Sequence, residues 1–222
     1  MKKFAVLVAG GSGSRMKTDL PKQFLLLKEK PLLFYTINSF LNAADDITII
    51  LVLPQDFIEM GNEIINQYFK GKDIIVTAGG QTRFHSVKNG LQMIDEDGVV
   101  LVHDAVRCLV TKDLINRSIV AAIEKGIVVP VISSRDSVRI VAGSKNNSIE
   151  RSTVKMVQTP QAFLSKNLIS AFEVEYNEMF TDEAAVMEAA GYEIHLIEGE
   201  ENNIKITFPI DFVLAEKILE NQ

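Results

Sequence analysis

The chain has 222 residues, of which 47% are hydrophobic and 23% are charged. These values are close to the average for globular domains, so they exclude a disordered chain and predict one ordinary domain with a substantial core. The chain carries 23 Lys and Arg against 29 Asp and Glu, which gives a net charge of −6 that repels polyanions. We therefore expect no nucleic-acid-binding surface, although a local basic pocket for a small phosphate ligand is compatible with this charge.

Neither a disulfide scaffold nor a membrane segment is indicated by the sequence. Cys108 is the only cysteine, so no intrachain disulfide can form, although a thiol nucleophile is not excluded. The apolar run after the first lysines covers only residues 4–9 and ends at glycines, which is too short for a signal peptide and favours a strand. No run approaches the ~20 apolar residues that span a bilayer. We expect a soluble, cytoplasmic protein without membrane contact.

Three nearly continuous apolar runs predict strands that are covered on both faces, as in a parallel sheet. They cover residues 4–9, 47–53 and 99–103. Further strands are predicted at 127–132 and 192–197, and helices at 32–41, 57–69, 84–94, 111–125, 166–175, 182–190 and 209–220. This alternation predicts an α/β fold of the doubly wound, Rossmann-like type with a mostly parallel mixed sheet.

The alternation is interrupted at residues 133–153. Residues 137–142 alternate only partly between apolar and polar side chains, and a polar, turn-rich stretch follows at 143–148, which predicts an inserted β-hairpin. Such a hairpin is either a solvated excursion or an arm that grips another subunit. We predict a single domain over 1–222, with 133–153 as a protruding β-arm.

The segment AGGSGSRM at 9–16 follows the first strand directly, and PKQ follows at 21–23. Small residues let backbone N–H groups approach phosphate oxygens, while Arg15 and Lys22 add positive charge, so the pattern indicates a triphosphate cradle. The third glycine of the dinucleotide fingerprint is absent, since Met16 stands there, and no Gly-Lys-Ser/Thr closes a P-loop. The alternative is an ordinary strand-to-helix turn with two solvated cations.

A second glycine-containing loop, AGGQTRFHS at 78–86, follows a predicted strand at 74–76 and leads into a helix, so Arg83 and Ser86 are candidates for facing a ligand. A capped helix is an equally good explanation of that loop. Asp104 follows a buried strand, where it could hold Mg²⁺ or a ribose hydroxyl, or serve only as a cap or ion-pair partner. Lys205 lies between Ile204 and Ile206 in a predicted strand and would point away from both.

Taken in order, these motifs resemble those of the 2-C-methyl-D-erythritol 4-phosphate cytidylyltransferase family, which acts in non-mevalonate isoprenoid synthesis. The resemblance covers nearly the whole chain. The matching pieces are AGGSGSRM at 9–16, PKQ at 21–23, HDA at 103–105 with Arg107, QTPQ at 158–161, TDE at 181–183 and NIKIT at 203–207. Departures occur on the acceptor side, because the family more often has Ala at Val106, Pro at Cys108 and Thr at Ser137.

The resemblance implies roles for individual residues. CTP is bound through its triphosphate by residues of the first loop, namely Ala9, Gly10, Gly11, Gly13, Arg15 and Lys22. Arg15 and Lys22 also stabilise the transition state. Gly80, Arg83 and Ser86 border the cytidine, and Asp104, Ala105 and Arg107 lie between ribose, metal and methylerythritol phosphate. Arg151 reaches the active site of a second subunit and, with Lys205, positions the acceptor, while Thr159, Thr181 and Thr207 line the same region.

The implied protein is a homodimer joined by the 133–153 arm, with Mg²⁺ as cofactor at Asp104 and with CTP and a polyol phosphate as substrates. In the implied reaction, a phosphate oxygen of the acceptor attacks the α-phosphorus of CTP and pyrophosphate leaves. We expect Lys22→Ala to reduce turnover far more than stability, on the assumption that Lys22 is a surface residue of a loop.

Two alternatives stay open at this point. Ribitol-5-phosphate cytidylyltransferase shares the fold and the CTP loop and differs on the acceptor side. A catalytically silent nucleotide-binding module would keep the glycine loop without turnover, although the presence of all the cationic motif residues argues against it. A sugar-1-phosphate nucleotidylyltransferase is a more distant comparison.

Overall fold

Strands and helices alternate along the part of the chain that the computed structural model describes, residues 1–10 and 20–220. The strands are β1 (Lys2–Val8), β2 (Leu26–Leu27), β3 (Lys30–Pro31), β4 (Ile47–Leu53), β5 (Ile74–Ala78), β6 (Gly98–Asp104), β7 (Ile127–Ser133), β8 (Val138–Ala142), β9 (Lys145–Ile149), β10 (Lys155–Val157), β11 (Gln161–Leu164) and β12 (His195–Glu198). The helices are α1 (Leu32–Ala43), α2 (Ile58–Tyr68), α3 (Arg83–Leu91), α4 (Lys112–Lys125), α5 (Ser165–Ala171), α6 (Glu183–Ala189) and α7 (Pro209–Glu220).

Eight strands form one mixed sheet in the order β10-β7-β11-β6-β1-β4-β5, with β12 paired to β7. β1 lies between β4 and β6 and is parallel to both. After β1, the chain therefore adds β4 and β5 on one side of β1 and then adds β6 on the other side, so the direction of sheet building reverses at β1. Ligands of open α/β sheets bind at such a reversal, at the carboxyl ends of the strands. The predicted fold, a doubly wound and mostly parallel sheet, is confirmed.

Helices cover the sheet on both faces because alternate strand residues point to opposite sides. On one face, Leu7 of β1 packs in a cluster with Ile37 of α1 and Leu114 of α4. On the other face, Val6 of β1 packs with Val87 of α3. These side chains are fully buried, which explains why the strands have almost no polar positions. The core thus fixes the strand ends on which the site is built.

β11 was not predicted, and it is the main difference between the expected and observed sheets. This strand of four residues is antiparallel to β6 and β7 and fills the space between them. Its sequence is short and only partly apolar, so the local pattern gives no strong strand signal. Ala162 and Phe163 are nevertheless completely buried, because the position of the strand in the sheet is decided by its neighbours.

The predicted strand around Lys205 is wrong. Residues 203–207 form no strand, and the Ile206 N–H donates to the Val106 carbonyl at 3.1 Å without a strand ladder around it. The alternation of Ile204 and Ile206 arises from packing against Cys108 and α7 rather than from strand pairing. The alternation of apolar and polar residues in this segment therefore reflects burial of every second side chain, and no sheet is involved.

The predicted hairpin is present as β8 and β9, which pair with each other from Val138↔Ile149 to Ala142↔Lys145 and form a separate two-stranded sheet. Most of its side chains are exposed, including Ile140 at 58% and Val141 at 71%. Apolar side chains at this level of exposure are a feature of contact surfaces. In residues 1–10 and 20–220, no helix has the length and apolar character that crossing a membrane requires.

Replacement of Phe163 tests the contribution of β11. Phe163→Ala removes a fully buried ring that packs in the cluster of Val6 and Val87 on one face of the sheet, and we expect a loss of about 3–5 kcal/mol in the free energy of unfolding. Phe208→Ala is the matched control, because Phe208 is 51% exposed and should change stability by less than about 1 kcal/mol. Urea unfolding measures both. Equal losses in the two variants would contradict the role given to β11.

Candidate active site

A cleft opens at the carboxyl ends of β1 and β6, where the direction of sheet building reverses. Its walls come from the residues that follow β1, the loop that precedes α3, the end of β6 and the 203–207 segment. The lining residues include Ala9, Gly10, Lys22, Gln23, Gly80, Arg83, Ser86, Asp104 and Lys205. The topology thus brings together motif residues that are up to 196 positions apart in the chain.

The two glycine-containing segments pack directly against each other. The Ser86 hydroxyl accepts the Gly80 N–H at 3.1 Å and donates to the Thr82 carbonyl at 3.0 Å. A Cβ at Gly10 would lie 3.1 Å from that same hydroxyl oxygen, and one at Gly80 would lie 2.3 Å from the Cβ of His85. Glycine at these positions therefore permits the close packing of the two segments, which a Cβ would crowd.

Asp104 is the electrostatic centre of the cleft. Its Oδ2 lies 2.8 Å from Lys205 Nζ and 3.5 Å from Arg107 Nε, and its Oδ1 lies 3.3 Å from Arg83 Nε. Burial alone would raise the pKa of Asp104, but the charges of Arg83 and Lys205 outweigh burial and hold the pKa well below its usual range. The carboxylate is therefore ionised at every physiological pH.

Arg83 connects Asp104 to a second buried carboxylate. Its guanidinium pairs with both oxygens of Glu183, the first residue of α6, in a bidentate arrangement. The Glu183 side chain is only 1% exposed. Burial raises the pKa of Glu183, and the positive charge of Arg83 opposes that rise. Through this pair, α6 fixes the orientation of Arg83 at the start of α3.

Lys22 and the 203–207 segment are in direct contact. Lys22 Nζ donates to the Ile206 carbonyl at 2.7 Å, and Lys22 is 7% exposed. The assumption that Lys22 is a surface lysine is therefore wrong, because the turn at 22–24 packs it beneath the 203–207 segment. We expect replacement of Lys22 to lower stability as well. Gln23 lies beside it, buried, and donates to the Ala9 carbonyl at 2.6 Å.

The turn after β6 is held from below by buried polar groups. The Ala105 carbonyl accepts a hydrogen bond from the Thr36 hydroxyl of α1 at 2.7 Å, and the Ala105 N–H donates to the Val8 carbonyl at 3.0 Å. The Thr159 hydroxyl accepts the Asp104 N–H at 3.1 Å and lies 3.0 Å from His103 Nδ1. Ala105 and Thr159 are buried at 0% and 4% exposure, so they support the cleft rather than line it.

Arg107 also makes polar contacts within the protein. Its Nη1 donates to the Asn203 carbonyl at 2.8 Å, in addition to the ion pair with Asp104, and its side chain is 12% exposed. Asn203 is fully buried and donates to the Thr159 carbonyl at 2.8 Å, while Gln158 makes two hydrogen bonds with the backbone of Glu200. This network sets the course of the chain into Lys205.

The remaining predicted residues lie outside the cleft lining or outside the described chain. Gly11, Gly13 and Arg15 lie outside the described residues. Thr181 is exposed just before α6, and the Thr207 hydroxyl donates to the Lys205 carbonyl at 3.1 Å. Arg151 lies at the base of the hairpin, where its Nη1 donates to the Arg135 carbonyl at 3.1 Å.

Some residues that shape the cleft were missed as contributors. They are Gln23, His103, Gln158, Glu183 and Asn203. All five fall within the motifs at 21–23, 103–105, 158–161, 181–183 and 203–207, so a signal was present, but their partners are distant in sequence. Cys108 has no such role: burial raises the pKa of its thiol to about 12, which makes the nucleophilic thiolate scarce at neutral pH.

The described residues do not form a protein-held metal centre. Among residues 1–10 and 20–220, no three His, Cys, Asp or Glu side chains are grouped so as to hold a metal ion. Both oxygens of Asp104 already face cationic side chains, which compete with a divalent cation. Magnesium is commonly held by few protein ligands together with nucleotide phosphates. Asp104 as a metal ligand stays a prediction, and the geometry does not favour it.

A doubly wound sheet with a cationic cleft at its reversal point is typical of the nucleotide-binding class of α/β proteins. The comparisons narrow this class. The model of the family 2-C-methyl-D-erythritol 4-phosphate cytidylyltransferase matches residues 4–221. A protein of that name from Bacteroides fragilis is 42% identical over 221 residues, covering 99% of this chain and 100% of the relative.

Solved structures agree with the sequence relatives. A 4-diphosphocytidyl-2C-methyl-D-erythritol synthase from Anaerococcus prevotii superposes with a TM-score of 0.85 at 27% identity, covering 99% of this chain and 98% of that chain. A 2-C-methyl-D-erythritol 4-phosphate cytidylyltransferase from Thermus thermophilus superposes with a TM-score of 0.76 at 29% identity, covering 99% and 98%. The chain belongs to the 2-C-methyl-D-erythritol 4-phosphate cytidylyltransferase family, whose members are CTP-dependent nucleotidyltransferases.

Replacement of Glu183 tests the buried ion pair. Glu183→Gln leaves Arg83 without its bidentate carboxylate in a mostly buried place, and we expect a loss of about 3–5 kcal/mol in the free energy of unfolding. Glu201→Gln is the matched control, because the pair of Glu201 with Arg135 is exposed and should contribute less than about 1 kcal/mol. Both losses are measured by urea unfolding. A Glu183 variant as stable as the control would refute the anchoring role.

Proposed function

We propose that this protein transfers CMP from CTP to 2-C-methyl-D-erythritol 4-phosphate and releases pyrophosphate. The observation that carries the proposal is the convergence of Lys22, Arg83 and Lys205 on one cleft at the reversal point of a sheet that belongs to this family. Family membership favours this reaction over the ribitol phosphate alternative and over a silent binding module, and no observation favours either of those.

The reaction needs positioning and charge neutralisation more than proton transfer. An oxygen of the acceptor phosphate forms a bond to the α-phosphorus of CTP, and the bond from that phosphorus to the bridging oxygen breaks. The electron pair leaves with pyrophosphate. A phosphate monoester is largely dianionic at neutral pH, since its second pKa is ~6, so no general base is required. Cationic side chains and backbone donors supply what such a transfer demands.

On the nucleotide side, we propose that Lys22 and Arg15 bind the triphosphate with Ala9, Gly10, Gly11 and Gly13. Lys22 lines the cleft and already points its ammonium group at the acceptor-side segment. The cytidine would lie against the loop of Gly80, Arg83 and Ser86, which lines the cleft. The roles of Gly11, Gly13 and Arg15 rest on the family resemblance alone.

On the acceptor side, we propose that Lys205 binds the methylerythritol phosphate. The Lys205 side chain is 40% exposed and reaches Asp104 at 2.8 Å, so its ammonium group lies at the mouth of the cleft. Thr181 and Thr207 are proposed to border the same substrate, while Asp104 and Arg107 hold Lys205 and the turn in place. Ala105 and Thr159 are buried, so we propose that they support the turn after β6 without contacting the substrate.

We further propose that Mg²⁺ enters with CTP, as the counter-ion of its triphosphate, and is therefore part of the substrate. When bound, it would neutralise charge on the phosphates. This agrees with a cleft in which the carboxylate is already surrounded by cationic side chains.

The assignment is tested by pyrophosphate release from CTP and Mg²⁺, with methylerythritol 4-phosphate and ribitol 5-phosphate in parallel reactions. We expect turnover with the first and little with the second. Preference for ribitol 5-phosphate would keep the CTP site and refute the acceptor. A CTP-dependent thermal shift without pyrophosphate release from either acceptor would identify a binding module.

Lys205 should matter for turnover far more than for folding. Lys205→Met removes the cation proposed to bind the acceptor phosphate, and we expect kcat/KM to fall about 100-fold or more. Lys166→Met is the matched control, because Lys166 is 77% exposed and pairs with Asp97. It should retain wild-type turnover. The melting temperatures of both variants, measured with kcat/KM, separate a chemical loss from unfolding, and a Lys205 variant that keeps its turnover would reject the role.

We propose that the protein is a homodimer in which the 133–153 arm brings Arg151 to the cleft of the second subunit. Two observations support this. Arg151 lies at the base of the hairpin and does not line the cleft of its own chain, and the hairpin exposes Ile140 and Val141. The chain is thus proposed to be one nucleotidyltransferase domain over 1–222 with a dimerising arm. A cytoplasmic location stays a prediction.

Mixing two inactive variants tests the shared site. Arg151→Met and Lys205→Met should each be nearly inactive alone. When subunits exchange, a mixed dimer has one cleft with both changes and one with neither. An equal mixture should therefore recover about one quarter of wild-type activity. No recovery, with mixed dimers demonstrated by mass spectrometry, would show that Arg151 serves the cleft of its own chain.

A further inference from the structure

His103 is a buried histidine that the reaction proposed above does not use. It is fully buried at the end of β6, and its ring packs edge-on against Phe40 of α1 at 5.1 Å between ring centres. Both ring nitrogens face polar partners. Nδ1 lies 3.0 Å from the Thr159 hydroxyl, and Nε2 lies 3.1 Å from the Arg107 carbonyl. Burial requires such partners for both nitrogens. These particular partners connect the ring to the start of the turn from Asp104 to Arg107, through Thr159, and to its end.

The chemistry of the partners fixes the direction of each hydrogen bond. A carbonyl oxygen can only accept, so Nε2 carries the proton that is donated to Arg107. Burial lowers the pKa of His103 to about 3, so the ring is neutral at physiological pH. Nδ1 is then left as an acceptor and receives the proton of the Thr159 hydroxyl. Because that proton is directed at His103, the oxygen of Thr159 turns its lone pairs toward the Asp104 N–H, which it accepts at 3.1 Å.

We infer that His103 is a positioning residue that holds the turn from Asp104 to Arg107 at both ends, at the start through Thr159 and at the end through the Arg107 carbonyl. The turn carries the carboxylate that pairs with Arg83 and Lys205. His103 therefore acts on the acceptor-binding cation without touching substrate. Thr159 likewise acts through Asp104, since at 4% exposure its hydroxyl is used within the protein.

Two replacements of His103 separate the two ends of the turn. The side-chain amide of His103→Gln can reach the place of Nε2 and keep the bond to Arg107, while the bond to Thr159 is lost. His103→Asn can place its carbonyl oxygen near the position of Nδ1, so it keeps the acceptor for Thr159. We expect kcat/KM to fall about 10- to 100-fold in His103→Gln, the range for a displaced catalytic group, and less in His103→Asn.

The double variant His103→Gln/Thr159→Val tests whether the two residues act as one unit. Because both changes remove the same hydrogen bond, the double variant should lose no more kcat/KM than the worse single variant. His195→Gln is the control histidine, since His195 lies on β12, away from the cleft, and it should keep wild-type turnover. Losses that multiply, or a His103→Gln variant with full kcat/KM and a lowered melting temperature, would overturn the inference.

A readout independent of turnover is needed, because this role rests on the proposed function. Hydrogen exchange of the peptide that contains residues 104–107 should be faster in His103→Gln and Thr159→Val than in the wild type or in His195→Gln. Unchanged exchange there would overturn the inference even if the protein proves active. If His103 variants do not fold, Thr159→Ser should keep both slow exchange and turnover that Thr159→Val loses, and equal behaviour of these two would also overturn it.

Discussion

The cleft depends on a single buried carboxylate and the cations that surround it. Asp104 could not remain ionised at the end of a buried strand without partners, because burial of an unpaired charge is costly. Arg83, Arg107 and Lys205 provide that compensation, and Glu183 in turn compensates Arg83. Three cations and two carboxylates leave this cluster with one net positive charge. An assembly that is stable without ligand is therefore still suited to bind an anion.

The same cluster joins parts of the chain that otherwise have separate roles in the fold. Arg83 begins α3, Asp104 ends β6, Glu183 begins α6, and Lys205 lies in a segment without regular structure. Because each charged group is held by groups from other elements, displacement of one element changes the surroundings of all the others. This explains why buried polar residues below the cleft, such as His103 and Asn203, make so many directed hydrogen bonds.

Much of this arrangement could be predicted from the sequence, because residues that follow apolar runs are placed at strand ends by the fold itself. Arg83, Ser86 and Asp104 were found in this way. The residues that could not be predicted depend on tertiary neighbours. Lys22 was expected at the surface and is buried, and Lys205 was expected in a strand and is not.

β11 and Glu183 were also not predicted, because both depend on residues that are distant in sequence. A strand of four residues becomes part of the sheet only because β6 and β7 leave a space for it. Glu183 would be classed as an ordinary acidic residue at a helix start by its local sequence, and its role follows only from Arg83, 100 residues away. Pairing information of this kind is not contained in a local pattern.

The antiparallel direction of β11 has a consequence for how the cleft can change during evolution. A strand antiparallel to its neighbours begins at the edge of the sheet where they end, so the segment that precedes β11 lies next to Asp104. Thr159 in that segment accepts the Asp104 N–H. A change in the segment that leads into β11 therefore also affects the 203–207 segment, because Asn203 donates to the Thr159 carbonyl at 2.8 Å. The residues that we propose for the nucleotide are coupled to the same place, since Lys22 donates to the Ile206 carbonyl and Arg83 pairs with Asp104. A change of acceptor would thus have to preserve these contacts.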